Sequence, residues 1–230
     1  NRVNRYIDVD GDSSTWNSSS SYITLPPSYE QSGGKGIAWA GLFWQGRINS
    51  DTDYVQHFAQ IDSATTYQYI ETGDGSGYGT VDISATDANK ISLKVGTGSY
   101  APVKASTLHR YASSGGETYA AYADVTDILQ SWNLASGKQT FTVANLTTNE
   151  GREGSPGLFG GWSLVIIYLQ DFNGTPRNIS VYNGFDIVAN PSTAIPITGF
   201  KLPISGTVRA QIGIFSGEGE ALYSPDSISM

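Results

Sequence analysis

The sequence predicts an all-β fold, a single antiparallel β-sandwich with roughly a dozen strands, on three observations. Apolar residues occur in short runs rich in Val, Ile, Tyr, Phe and Trp, with the period of two that a half-buried strand requires. Clusters of Gly, Ser, Asn and Asp separate these runs and supply turns. Only 15% of the residues are charged, too few for a coiled coil or a long helical bundle.

The elements follow from this pattern in chain order. One helix is predicted from Val125 to Trp132, where Asp124 caps the first turn and Val125, Ile128 and Leu129 share an apolar face. Long polar, Gly-rich surface loops are predicted over residues 71–79, 96–102 and 147–159. The apolar runs predict strands over residues 3–9, 21–25, 37–44, 54–60, 66–71, 90–95, 118–123, 139–144, 161–169, 178–185, 194–200, 208–215 and 221–228.

Length and charge limit the organisation and the partners of the chain. Its 230 residues contain no stretch long enough to serve as an interdomain linker, so we expect one domain over residues 1–230. With 13 Lys and Arg against 21 Asp and Glu, the net charge of −8 argues against nucleic acid and against anionic membrane surfaces. No apolar run reaches the ~18 residues of a membrane helix, so no membrane insertion is expected. We expect a monomeric unit within a larger multidomain chain.

The strongest local motif is an acidic segment near the start of the chain, in which Asp8, Asp10 and Asp12 alternate with Val9 and Gly11. Carboxylates at alternate positions curl hard oxygen ligands around Ca²⁺, as at the start of an EF-hand loop. The EF-hand itself is excluded, because Ser13 stands where that loop has glycine and no glutamate occupies its twelfth position. A calcium loop is therefore predicted, with an acidic solvated turn as the alternative.

A second acidic cluster lies near the carboxyl end and comprises Glu218, Glu220 and Asp226. The intervening Gly219 allows close backbone approach to a ligand, and the two glutamates project from one side of an extended segment. This cluster is predicted to complete a metal site with the first one. The alternative is that both glutamates decorate the solvent face of an edge strand.

Four residues are candidate ligand contacts: Trp16, Asn17, Trp44 and Asp74. Trp16 and Asn17 lie beside the first acidic segment, whereas the acidic turn that contains Asp74 also suits an ordinary turn. Trp39 and Trp44 are five positions apart on one predicted strand, so their side chains should point to opposite faces. We place Trp162 in the core.

Enzymatic activity is not expected. Neither His57 nor His109 belongs to a recognisable metal-ligand spacing, and no nucleophile elbow or phosphate-binding loop occurs. The absence of cysteine removes thiolate zinc sites and a cysteine nucleophile. A glycosidase remains compatible with the sequence, since it needs only two carboxylates.

Several blocks in combination resemble one type of domain from exported bacterial surface proteins. They are Asp8-Val-Asp-Gly-Asp-Ser-Ser-Thr-Trp-Asn, Ala40-Gly-Leu-Phe-Trp-Gln-Gly, Gly160-Gly-Trp-Ser-Leu-Val-Ile-Ile-Tyr, Arg177-Asn-Ile-Ser-Val-Tyr-Asn-Gly-Phe and Gly213-Ile-Phe-Ser-Gly-Glu-Gly-Glu, followed by Asp226. Within that group the sequence is similar to the peptide-binding β-sandwich domain of large RTX-type adhesins. The resemblance covers nearly the whole chain.

The resemblance implies an extracellular module that binds Ca²⁺ and, through it, an acidic side chain or C-terminal carboxylate of a peptide on a target cell, in adhesion or biofilm formation. It assigns the metal-ligand role to Asp8, Asp10 and Asp12, and also to Glu218, Glu220 and Asp226. Two alternatives stay open. One is a calcium-dependent carbohydrate-binding module that stacks sugars on Trp16, Trp44 or tyrosines, and the other is a structural spacer rigidified by calcium.

Overall fold

A computed structural model of the chain describes residues 3–4, 6–27, 29, 36–49, 58–60, 67–69, 87–113, 116–148, 151–152, 158–169, 178–186, 194–199, 204–206 and 211–217. The chain divides into two compact units. One comprises Asn1–Asp171 with Ser216–Met230, and the other comprises Phe172–Phe215. The prediction of one domain stays a prediction, and the units are described separately.

Two four-stranded antiparallel sheets form the larger unit. The strands of the first sheet are β2 (Ser18–Leu25), β6 (Lys90–Val95), β7 (Ala101–Lys104) and β10 (Gly137–Ala144). Those of the second are β3 (Ile37–Asn49), β8 (Thr107–Ser113), β9 (Gly116–Asp124) and β12 (Gly160–Tyr168). The first sheet has the order β2-β10-β6-β7, and the second has the order β12-β3-β9-β8.

Four shorter strands form two separate ribbons of two strands each. In one ribbon β1 (Val3–Asn4) pairs with β11 (Gly151–Arg152), and in the other β4 (Phe58–Gln60) pairs with β5 (Tyr67–Tyr69). A single turn of 3₁₀ helix, Asp87–Asn89, leads into β6. Within the described residues, the two main sheets therefore hold eight strands, which corrects the expected dozen.

Alternate residues of both sheets contribute to one hydrophobic core. Leu93 and Phe141 from the first sheet belong to the same buried cluster as Leu42, Trp44 and Tyr119 from the second. Two large core side chains have partners for their buried polar atoms: Trp44 Nε1 donates to the Ala88 carbonyl at 2.8 Å, and the Tyr119 hydroxyl donates to the Thr147 carbonyl at 2.7 Å. A core shared by two antiparallel sheets is compatible with the predicted all-β sandwich.

The helix α1, Thr126–Ser131, is close to its prediction and connects β9 in the second sheet to β10 in the first. Asp124 Oδ1 accepts a hydrogen bond from the Thr126 N–H at 2.9 Å, so the expected acidic group does support the first turn. Val125 and Leu129 are fully buried, and Ile128 packs against the same core. In the part of the chain that the structure describes, no helix has the length and apolarity to cross a membrane.

The predicted strands differ from the observed ones mainly toward the carboxyl end. Residues 178–186 and 194–199 are described and have no strand assignment, and neither do residues 211–217. The last predicted strand, 221–228, lies outside the described residues. In the smaller unit the Tyr182 hydroxyl donates to the Thr198 carbonyl. Its described apolar side chains include seven exposed β-branched residues: Ile179, Val181, Ile195, Ile197, Ile204, Ile212 and Ile214.

Candidate functional site

The predicted calcium segment, residues 8–12, is an acidic loop that ends shortly before β2, and we name it the Asp loop. Its turns are built by its own carboxylates. Asp8 Oδ1 accepts from the Gly11 N–H at 3.3 Å, and Asp10 Oδ1 accepts from the Asp12 N–H at 3.3 Å. Gly11 has a φ of 59°, which a residue without a Cβ adopts at little cost.

The first residue of β2 brings two of the three carboxylates together. The Ser18 hydroxyl oxygen lies 2.8 Å from Asp8 Oδ1 and 2.9 Å from Asp10 Oδ1. A hydroxyl has one hydrogen, so it can donate to only one of these carboxylates at a time. The same oxygen accepts from the Val9 N–H at 2.8 Å. Two anionic oxygens therefore converge on one donor.

Two residues far along the chain hold the Asp10 carboxylate against the outer face of the first sheet, the face turned away from the core. Lys94 Nζ on β6 lies 2.7 Å from Asp10 Oδ2, with the two side chains 13% and 11% exposed. The Tyr100 hydroxyl, from the turn between β6 and β7, donates to the same oxygen. Lys94 Nζ also lies 4.3 Å from the centre of the Tyr100 ring.

These contacts shift the ionisation of the site. Burial alone would raise the pKa of the Asp10 carboxyl, but the donors Lys94 and Tyr100 outweigh it and hold that pKa well below its usual value. Burial, followed by the hydrogen bond to Asp10, raises the pKa of Tyr100 well above its usual value. Donors from Ser14 lower the pKa of Asp12. Asp10 is thus a carboxylate, and Tyr100 a neutral phenol, at physiological pH.

The donor set fits Ca²⁺ in part. Carboxylate and hydroxyl oxygens are the ligands that Ca²⁺ prefers, and Asp8 and Asp10 face the same point. Asp12 is directed elsewhere, since its Oδ1 accepts from Ser14 N and Oγ at 2.9 and 2.7 Å. Over the described residues, no group of three acidic or histidine side chains has the arrangement of a metal site. Asp8 and Asp10 are therefore the residues that would hold the ion.

Asn17 has a structural role that the sequence did not reveal. Its side chain is buried, with Nδ2 donating to the Leu146 carbonyl at 2.8 Å and Oδ1 accepting from the Leu146 N–H at 2.9 Å. The amide imitates a strand neighbour and continues the β2–β10 pairing by one step. Because both ends of the amide are committed to Leu146, this geometry argues against the ligand contact predicted for Asn17.

The tryptophans divide between core and surface. Trp44 is 1% exposed, so its burial argues against the predicted ligand contact. Trp39 points to the opposite face of β3, as predicted, and stacks on Tyr122 with ring centres 6.5 Å apart. Trp16 is half-buried next to the Asp loop. Trp162 packs against the core as predicted, and its Nε1 donates to Ser19 Oγ at 2.8 Å.

The second acidic cluster and one predicted contact cannot be located. Glu218, Glu220, Asp226 and Asp74 lie outside the described residues. The residue before Glu218 is described, and a Cβ added to Gly217 would come within 2.3 Å of the Gln45 side chain. The backbone at Gly217 therefore lies directly against β3, where a larger residue would require Gln45 to move.

Three residues of the site were missed from the sequence: Ser18, Lys94 and Tyr100. Ser18 is one of four consecutive serines, and Lys94 alternates with buried residues as any solvated strand lysine would. Only the sheet order β2-β10-β6, which places β6 two strands from β2, brings Lys94 and Tyr100 to the Asp loop. No local sequence signal reveals that order.

The sequence matches no known protein family, and no curated protein and no solved structure is significantly similar to it. The best-defined polar arrangement among the described residues is the Asp loop at the start of β2.

Proposed function

We propose that this chain is an extracellular ligand-binding module of a bacterial surface adhesin, which binds Ca²⁺ in the Asp loop and, through it, a carboxylate of a peptide on a target cell. The observation that carries the proposal is the convergence of Asp8 Oδ1 and Asp10 Oδ1 on the Ser18 hydroxyl. The resemblance of its sequence blocks to adhesin domains supports the assignment to adhesion. In the parent protein the module is one monomeric unit of a longer chain.

Electrostatics explains why a cation would be needed. The chain has a net charge of −8, and the Asp loop places three carboxylates within five residues, so a peptide carboxylate is repelled there. When bound, Ca²⁺ supplies positive charge and open coordination positions that oxygen ligands from two molecules can share. Asp8 and Asp10 hold the ion, and Ser18 orients both carboxylates.

Thermal unfolding in millimolar Ca²⁺ and in EDTA tests the metal part of the proposal. Calcium at a hundred times its Kd should stabilise the folded chain by about 2.7 kcal/mol. Asp8→Asn should abolish most of this calcium-dependent shift, because it removes one anionic ligand. The matched control is Asp127→Asn, an exposed carboxylate on α1 outside the loop, which should retain the full shift. A melting temperature that is the same in calcium and EDTA contradicts the proposal.

A carbohydrate-binding module is the second candidate, and an aromatic cluster favours it. On the outer face of the second sheet, Tyr122 stacks on Trp39 and lies 5.0 Å from the Phe43 ring centre, and all three side chains are partly exposed. Such rings are platforms for the apolar faces of sugars. A glycan array in calcium and in EDTA tests this candidate. It is supported if Trp39→Ala removes the hits and rejected if the wild-type chain gives none.

A further inference from the structure

The first strand of the first sheet has a free edge whose geometry can be read from two hydrogen bonds. The Asn145 N–H donates to the Asn17 carbonyl at 3.1 Å, so the backbone groups of Asn17 face β10. The Ser18 N–H donates to the Ile7 carbonyl at 3.0 Å, so those of Ser18 face away from it. Because successive residues of a strand alternate, the N–H and C=O groups of Ser20, Tyr22 and Thr24 also face away from β10.

Among the described residues these outward groups have no partner, since β2 pairs there with β10 alone and none of Ser20, Tyr22 and Thr24 makes a backbone hydrogen bond along the outer edge. All three side chains are exposed. The eight residues of β2 include no proline and no charged residue, the features that usually prevent pairing at an edge. The edge is thus open to an additional strand.

The edge is open at one end only. At Ser18 the position of an added strand is taken by Ile7, whose carbonyl accepts the Ser18 N–H. A strand that runs along Thr24, Tyr22 and Ser20 must therefore stop or turn away at this point. The Asp8 side chain, which follows Ile7, lies 2.8 Å from Ser18 Oγ. A chain terminus at this position adjoins the Asp loop.

The charge on the first sheet favours an acidic partner. The four strands contain four lysines and no aspartate or glutamate, although the whole chain is acidic. Because Leu93, Val103, Phe141 and Val143 point into the core, the lysines occupy the alternate positions of the outer face. One of them, Lys138, lies with its Nζ 4.3 Å from the Tyr22 ring centre, beside the open edge. The four lysines of the outer face are Lys90, Lys94, Lys104 and Lys138.

We propose that the peptide ligand binds as a fifth strand of the first sheet, antiparallel to β2, with its backbone paired to Ser20, Tyr22 and Thr24 and its C-terminal carboxylate at the Asp loop. This proposal rests on the proposed function, because the carboxylate needs the calcium-loaded loop. Strand addition draws its affinity from main-chain hydrogen bonds, and here the blocked end at Ser18 adds the selection of a free C-terminus. Acidic side chains of the peptide on the outer face lie nearest Lys138, the one of the four lysines that is on the strand next to β2.

A second copy of the chain fits this edge less well. Two molecules with a net charge of −8 repel each other. A ribbon of two eight-residue strands also buries far less than the roughly 1,200 Å² of a stable interface. An acidic peptide satisfies the same backbone groups without either difficulty.

Calorimetry with synthetic peptides tests the inference. The probe is the hexapeptide acetyl-TVTETD with a free C-terminal carboxylate, measured in saturating calcium. Two comparison peptides have the same sequence: one has a C-terminal amide, and the other is N-methylated at alternate residues. Both changes should weaken binding by about tenfold or more, since each removes hydrogen bonds or the charge that the edge and the loop recognise. Equal binding of the N-methylated peptide and the probe overturns strand addition, and so does a wild-type chain that binds calcium but not the probe.

The matching protein variant is Tyr22→Pro. The backbone N–H of Tyr22 faces outward, so proline at this position removes a donor from the open edge without removing a hydrogen bond between β2 and β10. It should lose probe binding and keep calcium binding, whereas the control Tyr22→Thr, which loses the ring but keeps the N–H, should bind the probe within about threefold of wild type. Undiminished binding by Tyr22→Pro overturns the inference. If Tyr22→Pro does not fold, the N-methylated peptide decides. A calcium titration without peptide reports separately on the proposed function.

Discussion

The two edges of the first sheet differ in how they are protected. β7, at one edge, has only four residues, and these include Pro102 and Lys104. Proline cannot donate to a neighbouring strand, and a lysine resists burial in a new pairing. β2, at the other edge, has eight residues with neither feature. One sheet thus combines a closed edge with an open one, and the open one begins at the Asp loop.

The edges differ also in how their ends are anchored. β7 follows a tight turn in which the Gly98 N–H donates to the Val95 carbonyl at 3.0 Å. β2 is anchored by contacts to distant residues, through Asn17 to Leu146 and through the Asp loop to Lys94. The open edge therefore depends on side-chain contacts for its position, and mutations at those contacts test this dependence.

The largest expected effect is at Asn17. Asn17→Ala leaves the partly buried backbone groups of Leu146 without their partners and should lower the free energy of unfolding by about 1 to 3 kcal/mol. Chemical denaturation measures this change. The control Ser20→Ala, an exposed residue on the same strand, should change stability by less than about 0.5 kcal/mol. Equal effects of the two variants would show that Asn17 does not anchor β2.

The Asp loop gives the next effect, which depends on pH. The folded-state pKa of Asp10 is lowered from 3.8, so its contribution to stability is fully present above that pH and is lost as the pH falls toward the folded-state value. In EDTA at pH 7, Asp10→Asn should cost about 2 kcal/mol, because Lys94 loses its charged partner.

Melting curves of wild type and Asp10→Asn between pH 7 and pH 2.5 check the sign of this effect. The difference between the two proteins should shrink as the pH falls below 3.8, since the unfolded wild-type chain then binds a proton at Asp10 that the folded chain does not. A difference that stays constant over the whole range would mean that the Lys94 ion pair does not stabilise the fold.

Replacing the proline and the lysine of β7 tests whether an open strand edge is by itself sufficient to bind the peptide. The double variant Pro102→Thr and Lys104→Thr gives β7 the neutral composition of β2. We expect it to fold with stability within about 0.5 kcal/mol of wild type, because both residues lie on an edge strand. It should self-associate more in light scattering, yet bind one probe peptide per chain, since Asp8 and Asp10 converge on Ser18 at the start of β2 and not on β7. Two bound peptides would show that an open edge alone selects the ligand.

The smallest effect belongs to the pair of Lys138 and Tyr22. Lys138→Met removes an exposed cation–π contact and should destabilise the fold by at most about 0.5 kcal/mol. Its effect on the acidic probe should be visible as faster dissociation in surface plasmon resonance. Unchanged kinetics would remove Lys138 from the recognition surface and leave the backbone of β2 as its main part.

Strand positions were largely predictable from the period of two. The prediction over residues 90–95 coincides with Lys90–Val95, and those over residues 37–44 and 139–144 fall inside β3 and β10. β7 was assigned to a loop because Gly96, Gly98 and Pro102 resemble turn chemistry, although Val103 packs into the core. β8 was missed because several of its residues are exposed, so its sequence lacks a clear alternation of apolar and polar residues.

The candidate site was predictable only in its local part. The spacing of Asp8 and Asp10 identifies an acidic loop, since neighbouring residues determine the turn that gathers their oxygens. The partners Lys94 and Tyr100 are 84 and 90 positions away from Asp10. Such contacts depend on which strands become neighbours, and a single sequence carries no signal for that choice.

The same long-range pairing has a consequence for how the chain folds during synthesis. Asn17 and Leu146 are 129 positions apart, and Ser19 and Trp162 are 143 positions apart. Sheets whose strands are this far apart in the sequence form slowly, because closing the long intervening segment costs conformational entropy before any contact between the strands offsets it. At about 5 to 20 residues per second, a ribosome needs roughly 6 to 26 s to make the residues that separate Asn17 from Leu146.

Throughout that interval β2 has neither its neighbour β10 nor any charged residue along its length, so both of its edges are exposed on the nascent chain. The local hairpin of β8 and β9 can form first, with only Ser114 and Gly115 between its strands. Premature pairing of β2 with another nascent chain is then a kinetic hazard, and a chaperone that covers β2 until β10 has been synthesised would reduce it.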